Sequence, residues 1–116
     1  MGCGKETSMK DFSGLVLCSY SDERVSVCVS AGVSCGKLRI SGEDCGKATK
    51  DFWGSSDYEY GYSFDEAETE KLFRALGAAD DPEKALTERF SGLDGCRKLR
   101  EFCGENGIEY WFSSYV

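Results

Sequence analysis

The chain contains no histidine. That removes the commonest general acid–base side chain, the Ser-His and Cys-His nucleophile pairs, and zinc sites with mixed Cys/His donors. An enzyme built on this sequence would have to work with carboxylates, tyrosines, lysines or thiols. There is one proline, and no Pro- or Gly/Ser-rich linker, low-complexity tract or fixed-period repeat interrupts the chain. The 116 residues therefore read as a single domain, 1–116, with residues 1–12 flexible. Long apolar runs are also missing. The longest, Leu15 to Cys18, falls far short of the ~20 residues of a membrane span. No secretory apolar segment precedes it, so the expected location is cytoplasmic.

Seven cysteines would suit a disulfide scaffold, but the count is odd and no two lie at zinc-knuckle spacing. A chain with 41% hydrophobic residues can bury a core without covalent staples, so reduced thiols are expected. Gly2 and Cys3 stand where acylated proteins carry lipid, but Glu6 occupies the position that myristoylation requires to be Ser or Thr.

The net charge of −7 is unevenly placed. Residues 1–42 carry a net +1, residues 43–70 a net −7 and residues 71–116 a net −1. An acidic field of this kind repels phosphate backbones, which argues against nucleic acid and is compatible with a basic protein partner or a cation. A charged surface kept for solubility is the plainer account.

Periodicity supplies the elements. Gly14 to Tyr20 reads as a strand, with a polar turn at Ser21-Asp22-Glu23. From Arg24 the alternation is strict: Val25, Val27 and Val29 against Ser26, Cys28 and Ser30, a half-buried antiparallel strand. A loop over Ala31 to Gly36 leads into Lys37 to Ser41, with Leu38 and Ile40 inward. A turn is expected at Gly42 to Gly46, then a short helix into Phe52-Trp53, then a strand with Tyr58, Tyr60, Tyr62 and Phe64 on one face. Three helices follow. The first starts at Ser63 or Asp65 and stops at Gly77; the second is capped by Asp81 with Pro82 inside; the third runs from Asp94 to Asn106-Gly107. Ile108 to Val116 is apolar on both faces, which places it inside a sheet. The expected fold is α+β: an antiparallel sheet of about five strands with helices packed on one face, a two-layer sandwich.

Acids and aromatic rings concentrate between Glu43 and Glu70. Asp44 lies between Gly42 and Gly46, where it can cap a helix or hold a turn; these glycines flank acids, the wrong charge for a phosphate loop. The tyrosines read first as core, although buried hydroxyls need partners and Tyr and Trp are frequent interface anchors. The partner-binding set is therefore Glu43, Asp44, Trp53, Asp57, Tyr58, Glu59 and Tyr60.

Short motifs at Leu38 to Gly46 (Leu-x-Ile-x-Gly-x-Asp-x-Gly), Phe52 to Gly54, Asp57 to Tyr60, Glu88 to Phe90 and Asn106 to Tyr110 together resemble small acidic uncharacterised bacterial proteins. These in turn look similar to the immunity partners of bacterial toxins. The resemblance implies a cytosolic inhibitor and carries no catalytic assignment. The expected function is thus a non-enzymatic domain that binds a basic protein, with no cofactor or catalytic residue, no nucleic acid and no membrane. Alternatives are a small hydrolase or isomerase whose acid and base are carboxylates such as Asp44 and Glu59, and a thiol or metal-binding protein.

Overall fold

The computed structural model describes residues 11–46, 57–77 and 81–115. Among them, β1 (Phe12–Ser21), β2 (Ser26–Ser34), β3 (Lys37–Cys45) and β4 (Asp57–Ser63) are followed by α1 (Glu66–Leu76), α2 (Pro82–Phe90) and α3 (Gly95–Asn106), then β5 (Trp111–Tyr115). The strands form one antiparallel sheet in the order β1-β2-β3-β4-β5. The expected α+β sandwich is what the chain forms.

Local chemistry sets the connections. The Asp22 carboxylate accepts from the backbone N–H groups of Arg24 (2.8 Å) and Val25 (2.9 Å), closing the β1–β2 turn. The β2–β3 hairpin turns on Cys35 and Gly36 alone, with φ of 54° and 76°. Positive φ at both positions is the geometry of a type I′ turn, whose twist matches the flanking strands. The segment read as a loop from Ala31 is therefore strand as far as Ser34, with Ala31 and Val33 buried. Its small residues hid the alternation. Gly32 in particular lies where a Cβ would stand 2.9 Å from the Phe12 carbonyl, so the close approach of β1 selects against a side chain there.

Cys35 is disulfide-bonded, which corrects the expectation of reduced thiols throughout. Cys18, Cys28, Cys45, Cys96 and Cys103 are free, so Cys28 does not bridge to Cys35 across the hairpin.

The helices follow their punctuation. Asp65 accepts from Glu68 N at 2.8 Å and Asp81 from Lys84 N at 3.1 Å, each satisfying an orphan donor of the first turn. Gly77 and Gly107 close α1 and α3 in the left-handed region. Asp94 begins α3 without a capping bond and pairs instead with Arg97 at 3.5 Å. Leu72, Phe73, Leu86, Phe90, Leu99 and Cys103 pack on one face of the sheet against Leu17, Val29, Val33, Leu38, Ile40, Tyr62 and Phe64. No helix among the described residues is long and apolar enough to cross a membrane.

β5 departs from expectation. It pairs with β4 as the edge strand, and all five of its residues are exposed. Side chains that are apolar on both faces can mean a covered central strand or an uncovered edge, and hydrophobicity alone does not distinguish them. The short helix expected before Trp53 lies outside the described residues.

Thr69 is the buried polar side chain of the described core, and its hydroxyl accepts from Leu38 N at 2.9 Å, tying α1 to the start of β3. Thr69→Val keeps the shape and orphans that N–H. It should lower unfolding free energy by about 1–3 kcal/mol in urea titration, whereas Thr69→Ser should retain most of the stability.

Candidate functional site

Strand geometry sorts the expected binding residues before any chemistry is considered. Successive side chains of a strand point to opposite faces, and β3 pairs with β4 as Gly42↔Tyr60, Glu43↔Glu59, Asp44↔Tyr58 and Cys45↔Asp57. Asp44, Tyr58 and Tyr60 therefore face the helix side, and Glu43, Asp57 and Glu59 face the open side. The structure does not bring the six together. Trp53 lies outside the described residues.

On the helix side, the Tyr60 ring lies over Gly42, where a Cβ would collide with it. The Tyr60 hydroxyl donates to Asp44 Oδ1 at 3.3 Å. Next along β4, the Tyr62 hydroxyl accepts from Arg100 of α3 at 2.8 Å. Tyr58, Tyr60 and Tyr62 form a run of ring contacts with centroids 5.4 Å and 6.4 Å apart. Burial raises the pKa of Asp44, opposed by its hydrogen bond from Tyr60. Burial and the Asp44 charge push the Tyr60 phenol up, so it stays protonated. These contacts build structure. Asp44 sits within β3, which runs on through Cys45 where a turn was expected.

The open side carries a groove of about 320 Å³. Its floor is small: Ser30, Ser41 and Gly42, with Ser113 and Tyr115 of β5 along one side. Glu43, Glu59 and Cys28 form the acidic end, and Arg39 lines the other. The Arg39 guanidinium lies against Gly61 and bonds the Ser63 hydroxyl. Glu43 stands directly across from Glu59, and neither makes an ion pair among the described residues. The ion pairs seen there lie along the helices instead: Lys71–Glu68, Arg74–Glu70, Lys84–Glu88 and Arg97 with Asp94 and Glu101. Like charges directly opposite on a sheet are destabilising, so this pair favours an arriving cation.

One cluster was not foreseen. Ligand atoms of Glu43, Cys45 and Asp57 lie within 4.8 Å of one another. They could hold a cation, with the thiol deprotonated. Removal from water and the neighbouring Asp57 and Glu43 push the Cys45 thiol up to about 11, which keeps its proton in place at neutral pH. Reading Glu43-x-Cys45 against Asp57-x-Glu59 in a hairpin would have revealed the cluster. Arg39, Ser41 and Ser30 were legible as a polar face; Ser113 and Tyr115 were not, because their place depends on where β5 docks.

Comparison of the chain with family models, curated proteins and solved structures found no match in any of the three.

Asp44 gives a pH signature. Its carboxyl is raised in the fold, so the folded state keeps a proton that the unfolded chain has lost. Stability should therefore fall as pH rises from the unfolded value near ~3.9 through the folded one. Asp44→Asn, whose carbonyl can still accept from Tyr60, should flatten that fall and raise the urea midpoint at neutral pH; an equal loss at every pH would contradict this.

Proposed function

We propose that this chain is a binding domain rather than an enzyme, and that it takes a basic segment of a protein partner on the open face of its sheet. The observation that carries the reading is the Glu43–Glu59 pair, two carboxylates directly opposite each other on the open face, neither of them in an ion pair among the described residues. The serine and glycine floor beside them leaves room for a long side chain. The net charge of −7 supports a basic protein over a nucleic acid. An immunity-type inhibitor of a basic toxin is the sharpest form of this reading. A cytoplasmic setting is supported by the five free thiols and opposed by the disulfide at Cys35.

The carboxylate-enzyme reading finds no support in the pair Asp44 and Glu59. Asp44 and Glu59 point to opposite faces of the sheet, and the groove is lined by Glu59 but not by Asp44. A pair separated by the sheet cannot act on one bond.

The check is affinity capture from the native cell followed by titration of the captured partner. Its affinity should fall steeply with salt, and Glu43→Lys or Glu59→Lys should weaken binding by roughly tenfold or more. Binding insensitive to salt, or mapped to Arg97, Lys98 and Arg100 on α3, would sink the proposal.

A further inference from the structure

The two edges of the sheet are built differently. β1 is irregular, with register shifts between Phe12 and Leu15 and between Val16 and Cys18, and with Gly14 at a φ of 71°. Bulges of this kind turn an edge away from further pairing. β5 has none. It runs residue for residue along β4 from Trp111↔Ser63 to Tyr115↔Glu59, with no charge and no proline. Trp111 is 67% exposed, Phe112 50% and Tyr115 69%. Straight, uncharged and aromatic, this edge lacks the usual devices that discourage strand addition.

From this edge we infer that β5 is a strand-addition site, and that the added strand is an extended segment of a basic partner. The inference rests on the open-face reading above and deepens it. Charge selects the occupant. Tyr115 has Glu59 as its cross-strand neighbour and Glu43 beyond it, on a chain with a net charge of −7. A second copy would bring the same acids toward its own kind, whereas a lysine or arginine opposite Tyr115 meets an aromatic face and then a carboxylate. Strands lie about 4.8 Å apart, so Glu59 is about 10 Å from the added backbone, within reach of a basic side chain laid along Tyr115. The alternate positions of the added strand fall beside Phe112, which packs on Tyr62 at 5.1 Å, and call for apolar residues. The partner segment therefore alternates basic and apolar side chains. Main-chain bonds would supply affinity and the alternate side chains specificity.

The test uses the full chain and a synthetic peptide of about eight residues alternating lysine and valine. A second peptide of the same sequence is N-methylated along its backbone. The first should bind, slow the hydrogen exchange of β5 amides, and lose about tenfold or more in affinity on N-methylation, on Tyr115→Lys and on Glu59→Lys. Tyr115 and Glu59 are both exposed, so either variant serves if the other fails to fold. Equal, salt-dependent binding of both peptides that Glu59→Lys weakens would remove the strand addition and leave the open-face reading standing. Binding that N-methylation abolishes but salt and Glu59→Lys leave unchanged would sink the basic-partner reading, and with it this choice of occupant. A dimer in sedimentation that Tyr115→Lys dissociates would make the occupant a second copy and overturn the inference. So would failure of the unmodified peptide to bind.

Discussion

The packing of Tyr60 over Gly42 fixes which way every side chain of the central hairpin points. A larger residue at position 42 would meet the ring, and a shift of one residue in register would exchange the two faces of the sheet. With the register held, Leu38, Ile40, Tyr62 and Phe64 enter the core and Glu43, Asp57 and Glu59 are turned away from it. Burying the first set leaves the second uncovered. The helix layer and the groove are thus two outcomes of one pairing.

Polar groups are handled differently on the two sides. Facing the helices, each that is drawn into the core has a partner: Thr69 receives the Leu38 N–H, Tyr62 receives Arg100, and Tyr60 reaches Asp44. An orphaned group there would cost more than a single bond returns. On the open side water can do the same work, and Glu43 and Glu59 stand opposite each other with no ion pair among the described residues. The ion pairs of the described helices form instead between residues three or four apart, by local geometry alone.

What the sequence made legible follows the range of the forces involved. The caps at Asp65 and Asp81 and the stops at Gly77 and Gly107 depend on neighbours within one turn, and all were readable. The alternation of β2 and β4 was equally plain. Ala31 to Ser34 and Gly42 to Cys45 read as loop and turn because small and polar residues carry a weak period, yet their partners on adjacent strands hold them extended. Asp44 and Glu59 were read as neighbours in chemistry, and only the register shows them on opposite faces. The exposure of Trp111 and Tyr115 was beyond reach for a related reason: strand order is a property of the whole sheet, and no local window contains it.

The inequality between the sheet's two edges has a further consequence. Edge-to-edge polymerisation needs two complementary docking surfaces on each molecule, so that every unit added presents the next site. Among the described residues β1 makes one border of the sheet irregular, and β5 makes the other straight. An assembly built through β5 alone therefore joins two edges and leaves no second border of this kind for the next unit. The chain can expose an aromatic border without becoming the seed of a filament.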